Sequence, residues 1–597
     1  MDYFQKNLAL LGEHDPYLAR RVRDIDLPRD ITVFPARDGH PVLQAGKVSL
    51  HSTYHPNQEA ARRVSEYVSR NGPPNTVYGL GFGYHILEIL ASQQGDLRVI
   101  EPSIEIFRVF LSVMDLKPFL PRTRFLVEEP PEKVLARHQP QDWNTFEHPP
   151  SIQIASLYFE RLERGLGLMD TLKSHPLRIL VINPIYGGSL PTAHYCAGAL
   201  KDLGHHVSTV DCEKFADGYF SLDGVSRKKQ NAEILSHLFM NLMGEIAAAR
   251  AADFQPDLIL ALAQAPLTPR AIERLKTLGV PVAFWFVEDF RTLTYWEEIA
   301  GCYDYFFTLQ RGEFFGRLSG AGVKKFYYLP QACYPKMHRP LVLSAEKRQT
   351  FGADLSFMGA AYYNRIQSFP RLLEYDFKIW GTGWDLKSPV GQRAQNGNQR
   401  VTPEEAIKIY NGGGINLNLH SSTYHEGVHP EGDFINPRTF EIAACAGFQL
   451  VDHRSELEEL FKVGEEMVTF HDIEELKDKI NYYLVHEEER TGIAGKASRR
   501  VLAEHTLQHR LNEMLLHIFL DHPEHLNRRL APRKDPVDYF IRQAGEDTEL
   551  GRYLEPFRGV PEFSLKTLID PIEKGAGALN KSETLLLMLN QLIKEEA

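Results

Sequence analysis

Short runs of wholly apolar residues alternate along this chain with longer stretches in which apolar positions recur three or four apart. From residue 177 the alternation is regular: strands are predicted at 177–183, 204–211, 256–262, 280–286 and 303–308, with helices at 193–203, 229–251 and 268–278 between them. Runs apolar at every position suit strands covered by helices on both faces, so the pattern predicts a doubly wound parallel sheet. After a crossing at 329–334 a second series follows. Strands are predicted at 354–359, 377–381, 414–420 and 448–451, with helices after 364 and at 403–410; a polar loop covers 421–436, and a helix from Pro437 closes at Gly447.

Ahead of both series the pattern predicts a helix, short strands at 31–35 and 42–50, and a helix at 58–70. The turn cluster Asn71-Gly-Pro-Pro-Asn75 then leads into strand, Gly-rich turn, helix and strand over 76–110. Prolines punctuate 130–176, which reads as a linker. Beyond Asp521 lies a helical tail. Its last helix carries Leu585, Leu586, Leu589, Leu592 and Ile593 at helical spacing, a stripe that packs on the body or serves a homodimer contact.

The fold class is therefore α/β, with two Rossmann-like domains in series, an additional N-terminal Rossmann-like α/β domain and a helical C-terminal tail. The boundaries are an N-terminal domain over 1–150, a linker over 151–176, two domains over 177–335 and 336–520, and the tail over 521–597. A length of 597 residues requires several cores.

Composition narrows the function. A net charge of −11 without any strong basic run argues against a general nucleic-acid binder. No run approaches the ~18 apolar residues of a membrane span, and the acidic start lacks the apolar core of a signal peptide, so a cytoplasmic protein is expected. The cysteines Cys196, Cys212, Cys302, Cys333 and Cys445 form no CxxC pair, which fits reduced thiols and gives no zinc pattern.

Ligands of doubly wound sheets sit at the C-terminal ends of the strands. That rule selects Gly187, Gly188, Gln264 and the pair Glu288-Asp289. Asp289 suits a general base toward an acceptor hydroxyl, with a helix cap as its alternative role, and His194 is a weaker base candidate. In the second series Arg438 and Glu441 share one face of the first helical turn. A cation beside amides that favour anions, with a carboxylate able to accept sugar hydroxyls, suits a nucleotide sugar; a surface ion pair is the plainer alternative. His420, at a strand end, either approaches a sugar phosphate or packs. In the N-terminal domain Gly79, Gly81 and Gly83, with Glu101 at the end of the next strand, either cradle a nucleotide and its ribose or form the tight turn of a docking domain.

Two resemblances sharpen these expectations. Gly79-Leu-Gly-Phe-Gly-Tyr-His85 followed by Glu101-Pro102 resembles the N-terminal domain of the motility-associated-factor family of flagellin glycosyltransferases, over about 30–150. The same spacing is similar to methyltransferase-like Rossmann folds, which keeps an S-adenosylmethionine-dependent module as an alternative. Further on, four ordered motifs are Phe357-Met-Gly359 with Arg365, Ile415-Asn-Leu-Asn-Leu-His420, Pro437-Arg438-Thr-Phe-Glu441 with Cys445-Ala-Gly447, and Tyr482 to His505-Thr506. Together they resemble the CgeB-like, family-4-related glycosyltransferases of the GT-B fold, over about 177–518.

That resemblance implies a nucleotide-sugar donor and a protein, flagellin-like or otherwise, or a surface-polymer acceptor. Glu441 would hold the ribose, Arg438 and Arg365 would face the diphosphate, and Gly359, Asn436 and His420 would complete the donor set. Gly187 and Gly188 would leave room beside donor or acceptor. No metal is expected, since no DxD motif stands at a strand end. The chain departs from the paired-Glu EX7E pattern of the broader clan. Asp433 stands eight residues before Glu441, and Glu431 is the nearest glutamate, so the first acid is open and with it the stereochemical outcome; a non-catalytic sugar-nucleotide-binding scaffold is the remaining alternative.

Overall fold

The computed structural model describes residues 3–27, 30–138, 142–524, 526, 535–560 and 563–596. Three parallel sheets carry the chain. The first has the spatial order Thr123–Val127, Leu97–Glu101, Thr76–Tyr78, Thr145–Glu147, beside an antiparallel meander of Ile31–Pro35, Pro41–Ala45 and Val48–Ser49. Its fourth strand lies inside the proline-punctuated stretch read as a linker: Thr145 pairs with Thr76 and Phe146 is buried. Three residues between prolines are too few for periodicity to register. Residues 151–176 are not an extended connector either. They hold the helix Ser156–Ser174, which buries Phe159, Leu162, Leu168 and Leu172.

The second sheet has six strands in the order Phe326–Tyr328, Tyr305–Thr308, Val282–Phe286, Leu258–Leu262, Arg178–Ile182, His206–Val210. Every residue of Leu258–Leu262 and Val282–Phe286 is buried, which is why those segments read as unbroken apolar runs. The third sheet has the order Phe377–Trp380, Ala353–Met358, Gly413–Asn418, Gln449–Asp452, Val468–Phe470. The edge strands Phe326–Tyr328 and Val468–Phe470 escape the sequence pattern because each is only three residues long.

The chain passes between the second and third sheets twice, at adjacent points. Cys333 N–H donates to the His505 carbonyl (3.0 Å), and Leu507 N–H donates to the Cys333 carbonyl (2.8 Å). After the second passage the helix Leu507–Asp521 runs back over the second sheet. Its Leu511, Leu515 and Phe519 share one core with Trp285 and Ile179 of that sheet and with Tyr78, Ile100 and Leu135 of the N-terminal unit. The N-terminal unit and the second sheet are thus fused by packing, and the third-sheet half meets both, pairing Glu459 with Lys133 (3.1 Å) on one side and Asp433 with Arg291 (3.0 Å) on the other. Two Rossmann-like domains facing over a cleft in this way form the GT-B arrangement.

In the tail, the stripe on the helix Lys581–Glu596 is largely uncovered. Leu585 and Leu592 are each 57% exposed, and only Leu586 packs against the small core of Val537, Ile541, Leu554 and Leu568. Four buried side chains give too little surface to cover the whole stripe. No helix among the described residues is long and apolar enough to cross a membrane.

Candidate active site

The C-terminal half builds its rim from one buried network. Asp452, at the end of its strand, accepts from the Nδ1–H of His420 (2.6 Å) and from the backbone N–H of His420 (2.8 Å), and it pairs with Arg454. With Nδ1 donating, His420 Nε2 accepts from the Asn436 N–H (3.0 Å). Asn436 is held further by Asn418 (2.8 Å), and its Oδ1 accepts from the Thr439 N–H, which starts the helix Arg438–Ala444. Burial pushes His420 down to about 4 and keeps it neutral; Arg454 and His420 outweigh burial to hold Asp452 well below the usual carboxylate range. Both ring nitrogens of His420 are therefore engaged by protein, so it positions the 421–436 loop instead of meeting a sugar phosphate.

The helix places Arg438 and Glu441 side by side at the cleft. Arg438 Nη1 donates to the Met358 carbonyl (2.9 Å), while its buried Nε has no partner among the described residues. Glu441 Oε2 accepts from the Tyr410 hydroxyl (2.8 Å), and Oε1 lies 3.7 Å from His338 Nε2. Arg365 lies beneath them and is buried. It donates to the carbonyls of Leu419 (2.8 and 3.2 Å) and Ala360 (2.9 Å), with Phe357 4.9 Å from its guanidinium. Instead of facing a diphosphate, Arg365 satisfies strand-end carbonyls that water cannot reach. Gly359 lets the loop above it pass: a Cβ there would sit 2.8 Å from the Phe357 ring and 3.2 Å from Arg365.

The helix closes differently from expectation. Ala446, with φ +53°, takes the left-handed position. Gly447 is needed for close packing, because a Cβ would come within 2.9 Å of the Tyr410 carbonyl.

Across the cleft, Gly187 has φ +113°, and a Cβ on it would overlap Gln264 Oε1 at 2.1 Å. Its carbonyl accepts from Arg400 of the opposite half, and Gly188 is exposed beside it. Ser189 donates to Glu288 Oε1 (3.3 Å), and burial pushes Glu288 up to about 7. Asp289 Oδ1 accepts from the Arg291 N–H (2.8 Å) in a turn, and burial raises its pKa as well. The acid that reaches over the cleft is Asp433, which accepts from Arg291 (3.0 Å) and Gln310 (2.9 Å). Glu431 is exposed on the same loop. His194 is half-exposed and pairs with Glu213 (2.9 Å) instead of any of these groups.

Arg291, Gln310, Arg400, Tyr410 and the acidity of Glu288 were not singled out in the sequence. The available signal was position: Arg291 and Gln310 each follow the C-terminal end of a strand of the second sheet by a few residues.

The N-terminal glycines lie elsewhere and are filled by the fold itself. Gly79, Gly81 and Gly83 have φ of +91°, +52° and +72°. A Cβ on them would meet Ser151 at 2.1 Å, the His51 ring at 2.6 Å and the Phe119 ring at 2.7 Å. Glu101 accepts from the amides of Leu80 (2.9 Å) and Ser103 (3.0 Å), and burial pushes it up to about 7. The groups expected to cradle a nucleotide are thus occupied by protein, in the geometry of a packed turn.

Among the described residues no group of three or more His, Cys, Asp or Glu side chains is placed to hold a metal ion. Residues 364–516 match the glycosyl transferase-like family, a span that contains Arg365, His420, Arg438 and Glu441. The spore protein CgeB of Bacillus subtilis is 26% identical over 250 residues, covering 40% of this chain and 75% of that protein. An uncharacterized protein of Treponema pallidum is 34% identical over 136 residues, 21% of this chain and 46% of that protein. Among solved structures, the trehalose 6-phosphate synthase of Burkholderia multivorans aligns with a TM-score of 0.40 at 14% identity, over 60% of this chain and 99% of that one. Anabaena HepE in complex with UDP-glucose aligns with a TM-score of 0.40 at 11% identity, over 58% and 99%. The CgeB-like resemblance read from the motifs is the one these comparisons bear out.

Proposed function

We propose that this chain is a glycosyltransferase that moves a sugar from a nucleotide-sugar donor to a protein or surface-polymer acceptor. The observation that carries the donor site is the pairing of Arg438, whose buried Nε has no partner among the described residues, with Glu441, whose Oε1 lies 3.7 Å from His338 Nε2. A buried N–H left without an acceptor is costly, and a phosphate oxygen would satisfy it. The diphosphate lies on Arg438, and the ribose hydroxyls donate to Glu441.

The acceptor enters from the 177–335 side, past Gly187 and Gly188. Its hydroxyl oxygen bonds to the anomeric carbon as the bond from that carbon to the phosphate oxygen breaks. The acceptor proton passes to Asp289, and the nucleoside diphosphate leaves with its charge against Arg438. Asp433 takes the position of the first acid of the paired-acid pattern, and Arg291 and Gln310 hold it at the cleft mouth. A protein acceptor draws support from the likeness of Gly79–His85 to flagellin-modifying enzymes. The filled N-terminal turn gives no support to an S-adenosylmethionine site.

The test is a thermal-shift and turnover screen with UDP-, GDP-, dTDP- and CMP-linked sugars. One donor class is expected to raise the Tm and to be consumed, and Glu441→Ala is expected to abolish both while the protein stays folded. Full turnover by Glu441→Ala would overturn the assignment.

A further inference from the structure

A second site lies away from the cleft. Where the N-terminal unit meets the third-sheet half there is a cavity of about 310 Å³. One wall is the edge strand Thr123–Val127 with the helix Pro131–Arg137; the other is formed by Glu459, Phe461, Arg500 and Glu504. Three of its lining side chains carry buried polar atoms with no hydrogen-bond partner among the described residues: Thr123 Oγ1, Glu129 Oε2 and Arg137 Nε. Native interiors pair nearly all such atoms, so three converging on one cavity call for an occupant.

Arg137 is the most telling of them. It is 6% exposed, and among the described residues no hydrogen bond or ion pair reaches any of its nitrogens. Of the neighbouring carboxylates, Glu504 pairs with Arg124 (2.6 Å) and Arg500 (2.8 Å) and Glu459 with Lys133 (3.1 Å) and Arg311, while Glu129 Oε2 lies 3.8 Å from Lys133 and Glu513 Oε2 has no hydrogen-bond partner among the described residues. Burial opposes the charge on Arg137, yet Glu129, Glu513, Glu504 and Glu459 more than offset it, so the guanidinium stays protonated. A protonated guanidinium held in a cavity with its fork of N–H donors open is the arrangement that receives an oxyanion. Beside it Glu129 Oε2 can accept only from a donor such as a hydroxyl, and the Thr123 hydroxyl serves in either sense.

We propose that this cavity binds a small sugar phosphate, its phosphate on Arg137 and its hydroxyls on Glu129 and Thr123. Because its two walls belong to the N-terminal unit and to the half that holds Arg438 and Glu441, occupancy ties the two together. The site does not depend on the reading of the cleft.

The test uses the full chain and three probes, glucose 6-phosphate, inorganic phosphate and glucose, each followed by thermal shift at up to about 10 mM. Glucose 6-phosphate is expected to raise the Tm by roughly 2–4 °C, inorganic phosphate by less, and glucose not at all. Arg137→Met is expected to lose the shift; because it also removes the charge that faces Glu129, Glu513, Glu504 and Glu459, it is expected to melt below wild type without phosphate, and its shift is read against its own baseline. Glu129→Gln is expected to weaken the glucose 6-phosphate shift and keep that of inorganic phosphate. Glu441→Gln, in the cleft, keeps both. No shift with glucose 6-phosphate, a shift that survives Arg137→Met, or one lost in Glu441→Gln overturns the proposal.

Discussion

Two side chains three residues apart carry the proposed donor site, and their neighbours show how much of a residue's role its position reveals. Arg438 and Glu441 were legible from spacing, because a helical turn fixes which face they share. His420 was legible as a strand-end residue and Arg365 as part of the loop that follows a strand, but neither in its orientation: whether a guanidinium meets phosphate or a carbonyl depends on which backbone groups water can no longer reach. His420 makes a sharp prediction. Replacing it with Ala leaves Asp452 short of a donor and the Asn436 N–H without an acceptor, a loss of about 3 kcal/mol in denaturant unfolding. A change below ~1 kcal/mol would show that the network does not hold the loop. Glu288 makes a prediction of sign. Its folded pKa, about 7, lies above the unfolded value near 4.5, so the folded state binds the extra proton between those limits and stability is lost as pH rises through 7. Glu288→Gln, neutral throughout, is expected to melt above wild type at pH 8 and alongside it at pH 4, as read by Tm against pH.

At the scale of elements, the long apolar runs gave their strands away and the short ones did not. Leu258–Leu262 is buried at every position and reads so; Thr145–Glu147, Phe326–Tyr328 and Val468–Phe470 have three residues each and are recognised only through their partners in the sheet. The tail stripe shows the reverse difficulty, since helical spacing says which face is apolar but not whether anything covers it. Turns were legible as glycines, not as contents. The run Gly79, Gly81, Gly83 announced a backbone that needs positive φ, and what fills the space above it, Ser151, His51 and Phe119, arrives from distant parts of the chain. Gly79→Ala forces a Cβ to within 2.1 Å of the Ser151 Cβ at φ +91°, so a loss of roughly 1–3 kcal/mol is expected by thermal unfolding. A neutral result would mean that the turn is open enough to admit a ligand.

At the scale of the whole molecule, the two Rossmann-like halves meet through adjacent crossings at Cys333 and Thr506 and through polar contacts, among them Arg311 with Glu456 and Glu459, Asp433 with Arg291 and Gln310, and Arg400 with the Gly187 carbonyl. The Arg291–Asp433 pair is partly exposed, so breaking it alters global stability by no more than ~1 kcal/mol. Arg291→Ala is therefore expected to change donor affinity at nearly constant Tm; a large fall in Tm with unchanged affinity would make the pair a purely structural clasp.

Calorimetric titration decides whether Arg438 and Glu441 hold a nucleotide sugar. The donor selected by the four-nucleotide screen is titrated into wild type, Glu441→Gln and Arg438→Gln at matched folded concentration. The prediction is saturable binding to wild type that weakens by about tenfold or more in each variant, the loss of one charge-assisted hydrogen bond being worth at least ~1.4 kcal/mol. Equal affinity in all three proteins would show that neither side chain holds the donor.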